Sequence, residues 1–263
     1  MGNMNQRWRD GETRWRPAGE VIQTSLYEVA AIPNPIAKEF VCRQHYSGTF
    51  PAARFRYGLY RGSDLQGVAV FSHPCSDRVL TNVFPGDVRA SVELGRFVLL
   101  DHVPGNGESW FLARCFELLR GQGIAGVVSF SDPLPRATID GRTVLPGHVG
   151  TIYQATNAVY LGRGDARTLN ILPDGRAFSH RAEVKIRRGE QGWRYAAAQL
   201  VSAGARPMED GEEAAAWVAG ELARISRRVR HRGNHKYAFA IDRALRGCLP
   251  RSLPYPKVID VAA

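Results

Sequence analysis

Between Val92 and Ser131 two strand patterns bracket one helix pattern, and their order restricts the folds open to this chain. Val92, Leu94, Phe97, Val98, Leu99 and Leu100 leave little polar surface toward the end of the first segment, as in a strand buried on both faces. Asp101-His102-Val103 leads into Pro104-Gly105-Asn106-Gly107-Glu108-Ser109. Phe111, Leu112, Cys115, Leu118 and Leu119 then fall at i, i+1, i+4, i+7 and i+8, which is one apolar face of a helix. After Gly121 and Gly123, Gly126-Val-Val-Ser-Phe-Ser131 reads as a second buried strand. Strand, loop, helix and strand make a βαβ unit with parallel neighbouring strands, so the fold class is α/β.

Strand and helix signals alternate around this unit. Pro33 and Pro35 precede a short helical stretch (Ile36, Phe40, Val41) that stops near His45-Tyr46-Ser47-Gly48, where glycine supplies a positive φ. Arg54–Tyr60 and Gly67–Ser72, separated by Gly62-Ser63-Asp64, read as a hairpin. A polar loop follows Asp132-Pro133 and ends at Gly147-His148-Val149-Gly150; a short helix is expected over Thr151–Asn157 and a strand over Ala158–Leu161. One helix begins near Ser179. Another is expected from Glu209 to Arg230, with Trp217, Val218, Leu222, Ile225 and Val229 on one face and Arg227, Arg228 and Arg230 in the last turn, where cations suit the helix dipole. Lys236–Ile241 alternates like a strand returning to the sheet.

At 263 residues and a loose figure of about 150 residues per domain, the chain holds one large domain or two small ones. The 35 Lys and Arg against 25 Asp and Glu give a formal charge of +10, a balance that favours polyanionic partners or cofactors. No apolar run nears the roughly 18 to 20 residues of a membrane span, and Met1–Arg16 mixes Trp with Arg, unlike a signal peptide. A soluble, cytoplasmic protein without a membrane partner is expected. Cys42, Cys75, Cys115 and Cys248 lie far apart, with no C-x-x-C pair to begin a zinc site, and are too few for a disulfide framework in a chain this long. Residues 1–20 read as a mobile basic arm, and residues 21–263 as a single domain with its core at about 32–162 and a C-terminal elaboration at about 163–263.

The loop from Val103 to Ser109, with Gly105, Asn106, Gly107 and Glu108 inside it, joins a buried strand to a helix start. Backbone N–H groups there carry the positive end of the dipole, and glycines permit close approach of a phosphate-bearing cofactor. The Lys-Ser or Lys-Thr of a nucleotide P-loop is missing and the three-glycine dinucleotide fingerprint is not matched, so neither ATP nor NAD is favoured. An ordinary turn with Ser or Asn capping the helix is the other reading.

The arrangement resembles the GNAT acyltransferase superfamily, in which a strand, a pyrophosphate-binding loop, a helix and a splayed parallel strand hold acyl-coenzyme A. Gly95 inside the first strand permits a bulge or splaying of that kind. The ordered blocks Glu93-Leu-Gly-Arg-Phe97, Gly105-Asn-Gly-Glu-Ser109, Val127-Val-Ser-Phe-Ser-Asp132 and Gly147-His-Val-Gly-Thr-Ile-Tyr-Gln-Ala-Thr-Asn157, with Asn234-His-Lys-Tyr237 near the end, resemble the Mom family of phage DNA modification proteins. That resemblance implies a GNAT-like fold with a mixed central sheet flanked by helices and N- and C-terminal elaborations. It further implies acetyl-CoA or a related acyl-CoA as cofactor, double-stranded DNA as partner, and conversion of adenine to a carbamoylmethylated form that shields DNA from restriction. Simple acyl transfer yields an amide, so such a product requires additional chemistry.

On this reading Tyr153 acts as general acid for a departing thiolate or orients the acyl carbonyl. Ser131 and Asp132 end a buried parallel strand, where ligands gather in α/β sheets, and Asp132 accepts the amine proton or binds a flipped base. Glu93 is a second candidate base. On a regular pleat it shares a side with Gly95 and Phe97 while Arg96 points the other way. Val103, Gly105, Asn106, Gly107, Glu108 and Ser109 are the cofactor candidates. His45, Tyr46, Arg96, His148, Asn157, Arg187, Arg188, Arg228 and Lys236 are candidates for substrate or DNA contact. His45 with Asp132 is a candidate site for a divalent metal such as iron. Two other functions fit the same residues: a GNAT N-acetyltransferase acting on a small amine or protein, and a non-catalytic DNA-binding protein with a degenerate GNAT fold.

Overall fold

The computed structural model describes the backbone of residues 4–9, 12–17 and 21–257 and the side chains of 21–257. Within the segment read as an arm, β1 (Met4–Arg9) and β2 (Glu12–Pro17) pair as an antiparallel hairpin; the remainder of that arm lies outside the described residues. β3 (Tyr27–Ala31) leads to α1 (Asn34–Gln44), then β4 (Ala53–Arg61), β5 (Asp64–Ser72), α2 (Arg78–Thr81), β6 (Ser91–Leu99), α3 (Gly107–Gly121) and β7 (Gly126–Ser131). A short pair, β8 (Arg136–Ala137) and β9 (Thr143–Leu145), occupies the polar loop. There follow α4 (Thr151–Ala155), β10 (Val159–Arg163), β11 (Arg167–Ile171), β12 (Ala177–Phe178), α5 (His180–Arg188), α6 (Trp193–Ser202), α7 (Ala214–Ile225), β13 (Arg227–His231) and β14 (His235–Ala240).

The described residues divide into two compact units, one within residues 21–133, 148–164 and 234–257 together with the β1–β2 hairpin, the other of residues 134–147 and 165–233. Residues 134–147 belong to the second unit, and β14 belongs to the first.

The first unit is built on a seven-stranded sheet in the order β10-β14-β7-β6-β5-β4-β3. Its β6–β7 pair is parallel and the other neighbours run antiparallel, which makes the sheet mixed. Period-two alternation sends Ala69 and Phe71 of β5 to one face and Val68 and Val70 to the other. The first face is covered by α3 through the expected Phe111, Leu112, Cys115 and Leu119, and by Tyr153 of α4. The second is covered by Ala37 and Val41 of α1, and farther along by Leu80 of α2 with Val83 and Phe84. Phe111 and Leu112 are fully buried, and burying a large apolar side chain contributes roughly 1.5–3 kcal/mol.

Two irregularities mark β6. Val70 pairs with Arg96 and Phe71 with Leu94, so Gly95 is the extra residue of a β-bulge. A Cβ at Gly95 would meet the Ser72 hydroxyl at 2.6 Å, which only glycine avoids. In addition, β6 pairs with β7 only over Ser91–Leu94 against Gly126–Ser129, although β6 continues to Leu99 and β7 to Ser131. The parallel strands therefore part after Leu94, the splaying expected from the sequence.

The second unit holds the sheet β12-β11-β13 and the helices α5, α6 and α7, whose Ile186, Ala196, Leu200, Trp217, Val218 and Leu222 form its core with Phe178. The long helix expected over Glu209–Arg230 is corrected here. Glu213 caps α7 by accepting from the N–H groups of Ala215 and Ala216 at 3.1 and 2.7 Å, and the helix ends at Ile225. Ser226 is extended, and Arg227–His231 is a strand. Val229 fits the helical spacing from Ile225, but the alternation of arginine with Val229 and His231 has period two, and Val229 packs with Leu134 and Ile171.

Candidate active site

The parting of β6 from β7 gathers most of the candidate residues. Ser129 and Ser131, two apart on β7, lie opposite Tyr237 and His235 of β14, so all four share one face. Over that face Gly150, at φ 74°, starts α4 and delivers Tyr153. Tyr153 is buried, its ring 5.3 Å from that of Tyr237 and edge-on to Phe239 at 6.2 Å. The Tyr237 hydroxyl donates to the Val149 carbonyl and accepts from Gln154 Nε2 at 3.3 Å, which pins the start of α4 to the sheet. Burial raises the Tyr153 phenol above the ordinary tyrosine range, the neighbouring Ser129 hydroxyl draws it back, and Tyr46, Tyr237 and Glu93 raise it further. The fully buried Ser129 hydroxyl is close to that phenol but not aligned for a regular hydrogen bond.

On the opposite face the bulge reverses the expected geometry of Glu93 and Arg96. Val70 and Ser72 share a face of β5, and they pair with Arg96 and Glu93 respectively, so those two side chains lie on the same side and not on opposite ones. The guanidinium is held by Thr49, donating from Nε to its carbonyl at 2.9 Å and from Nη2 to its hydroxyl at 2.7 Å. Burial raises the Glu93 carboxyl, and Arg96 and Lys236 partly offset that rise. Lys236, a candidate for substrate or DNA contact, donates to the Val79 carbonyl at 3.2 Å and stands beside Glu93.

His45 ends α1 and accepts from the Ser47 N–H at its Nδ1, which also lies 2.9 Å from Ser47 Oγ. Its ring stacks on Tyr46 at 4.2 Å, and Tyr46 meets His148 edge-on at 6.3 Å. The His148 N–H donates to the Asp132 carbonyl at 2.9 Å, bringing the loop back to the end of β7. His45, Tyr46, Glu93, Arg96, Ser131, Asp132, His148 and Tyr153 thus come together in the first unit around the parted strands.

Burial, with Arg96 and His148 adding positive potential, holds His45 well below 6.5. The unfolded chain therefore takes up this proton near pH 6.5 while the folded chain does not, so stability falls as pH drops below that value, by up to about 1.4 kcal/mol per pH unit. Urea midpoints measured at pH 7 and pH 5.5 should separate the wild-type chain from His45→Gln, in which this part of the slope is lost; an unchanged slope would place the ring in water.

The helix-start loop fits a phosphate-bearing group through its backbone. Asn106, exposed and at φ 64°, makes no side-chain cap, and Ser109 Oγ donates to the Asn106 carbonyl at 3.0 Å, so no such cap covers the first-turn amides of α3. The glycines act differently from expectation. Gly105 is buried and accepts from the Ile22 N–H at 2.9 Å; a Cβ at Gly107 would meet Val103 Cγ1 at 2.5 Å, and Val103 is itself in the core. Both glycines and Val103 therefore set the packing of the loop, and Asn106 and Ser109 remain toward solvent. The Glu108 carboxylate suits the helix dipole and would repel a phosphate.

The outlying candidates fare less well. Asn157 is exposed at φ 61° and closes α4 as a left-handed turn residue. Arg187 and Arg188 lie on α5 of the second unit within 3.8 and 3.9 Å of Glu183 and Glu190, and Arg228 lies on β13. Among the described residues no three His, Cys, Asp or Glu side chains converge on a metal position. Arg96, which places positive potential at the His45 ring, works against a cation held by His45 and Asp132. Ser129, Thr49 and Tyr237 are site residues that the sequence pattern does not single out; the two-residue spacing of Ser129 from Ser131 within an apolar strand is the available signal for the first.

The model of the Mom protein family matches residues 26–257. Over 162 residues the chain is 27% identical to the methylcarbamoylase mom of Escherichia phage Mu, a match that covers 59% of this chain and 61% of that relative, less than two thirds of its length. Solved structures give weaker likenesses. An IAA acetyltransferase from Bacillus cereus is 12% identical, covering 57% of this chain and 92% of its own at a TM-score of 0.31. A Bacillus subtilis acetyltransferase in complex with CoA is 12% identical, covering 90% and 99% at 0.31. At such scores the overlays add nothing to the strand order of the first unit.

Proposed function

Because this chain belongs to the Mom protein family, we propose that it modifies DNA, transferring an acyl-CoA-derived group to the exocyclic amine of adenine with release of the coenzyme thiol and so protecting the DNA from restriction; this transfer yields an amide, and a carbamoylmethyl-type product takes a further step beyond it. The observation that carries this reading is the opening between β6 and β7 after Leu94, with Tyr153 over one face, Glu93 and Arg96 on the other, and the uncapped start of α3 beyond the end of β6. Bound at that helix start, an acyl thioester supplies the activated group. Tyr153, protonated at neutral pH, donates toward the departing side of the reaction. An adenine amine is a weak nucleophile because its lone pair is delocalised, so positioning must supplement any base. Asp132 or Glu93 takes its proton, and the raised Glu93 carboxyl is a stronger base than an exposed one. A base extruded from the duplex stacks on Tyr46, beside His45 and His148.

Mass spectrometry of nucleosides from a plasmid coexpressed with the protein tests this. An adenine-derived nucleoside carrying the added group is expected, and its mass distinguishes a plain acetyl amide from a carbamoylmethyl group. Unmodified adenine beside an altered cytosine or thymine would refute the substrate. Thioester turnover on small amines without DNA would make the chain an ordinary N-acetyltransferase.

A further inference from the structure

We propose that β13 in the second unit presents a basic strand face that holds duplex DNA; the inference rests on the proposed function, in which DNA is the substrate. Asn170 pairs with Arg228 and Thr168 with Arg230, so these four side chains lie on one face of the β11–β13 ladder. Leu169 and Val229 lie on the other face and pack with Ile171. Arg228, Arg230 and the following Arg232 are exposed, and β13 is an edge strand, hydrogen-bonded to β11 alone.

The decisive feature is which arginines are already neutralised. On α5, Arg187 lies beside Glu183 and Arg181 beside Glu190, and on α7 Arg224 is bound to Glu221. Among the described residues, Arg228, Arg230 and Arg232 have no carboxylate partner. Three free guanidinium groups at a two-residue repeat of about 6.7 Å, next to the Thr168 hydroxyl and the Asn170 amide, match a regular polyanion that takes both charge and hydrogen bonds. A charged edge also discourages strand pairing between copies, and that role requires no affinity for DNA, so measurement separates the two.

Binding of the full chain to a 20-base-pair duplex, titrated with salt, supplies the test. Replacing Arg228, Arg230 and Arg232 together by Gln should lower the steepness of log K against log[salt] by about 2.7 and weaken binding at 0.15 M salt on the order of 10²-fold. The matching Lys variant should retain the wild-type slope. Lys38→Gln, Arg61→Gln and Arg114→Gln combined, an equal charge change on exposed positions of the first unit, should leave it unchanged. An unaltered slope in the β13 variant overturns the proposal, as does weakening confined to single-stranded RNA. Adenine modification, followed separately by nucleoside mass spectrometry, keeps the two readings apart: a chain that modifies adenine yet shows no β13 contribution loses this surface and retains its reaction.

Discussion

Replacing Tyr153 with phenylalanine should slow adenine modification roughly 10²–10⁴-fold, the usual contribution of a positioned proton donor, while the fold survives. The ring is buried against Tyr237 and Phe239, contacts that phenylalanine keeps, so unfolding should shift by less than about 1.5 kcal/mol. The hydroxyl is what changes. Because burial and the oxygens of Tyr46, Tyr237 and Glu93 raise its pKa, it stays protonated through the neutral range and can donate a proton but not remove one. The same argument assigns the acidic limb of the pH profile elsewhere. A carboxylate base must be ionised, so the rate should rise with pH through the raised pKa of Glu93, and Glu93→Gln should abolish that limb if Glu93 and not Asp132 takes the amine proton. Single-turnover rates with supplied thioester and duplex decide the matter. A Tyr153→Phe chain that is less stable yet equally fast would make the hydroxyl a packing group only.

Most of this site is legible in the sequence because its parts are local. Phe111, Leu112, Cys115 and Leu119 declare one helix face within a few turns, and the two apolar strands on either side need only a right-handed crossover to become parallel neighbours. Tyr153 follows from the turn at Gly150. The relation of Glu93 to Arg96 is not legible, since a one-residue bulge exchanges the faces of a strand and Gly95 signals only that a bulge is tolerated. Gly107 misleads for a related reason: a glycine at a helix start reads equally as room for a ligand or room for Val103, and only packing distinguishes them. In the second unit, Arg228 and Arg230 look like helix-terminal cations until the neighbouring β11 is known, because a strand is stabilised by a partner distant in sequence.

The same packing makes Gly150 the most sensitive backbone position of the site. Its φ of 74° is left-handed, which costs an alanine about 1–2 kcal/mol. A Cβ there would also stand 2.7 Å from Tyr237 Cε2, 2.8 Å from Tyr153 Cδ2 and 3.1 Å from Ser131 Oγ. Neither ring can give way freely, since the Tyr237 hydroxyl is held by Val149 and Gln154 and Tyr153 lies beneath α4. Overpacking of this kind costs about 1–3 kcal/mol more, so Gly150→Ala should lower the melting temperature of the first unit by roughly 5–15 °C. Gly123→Ala isolates the backbone cost, because Gly123 is also left-handed, at φ 77°, with nothing within 4 Å of its added Cβ. That variant should lose only the smaller amount and remain active. Gly150→Ala should also lose modification at temperatures where it is still folded, because the added Cβ stands against the Tyr153 and Tyr237 rings and the Ser131 hydroxyl, and relieving that contact shifts groups of the site. Equal destabilisation of the two variants, with activity intact in both, would mean that the tyrosines over β7 are loosely held and that their placement is not what the site depends on.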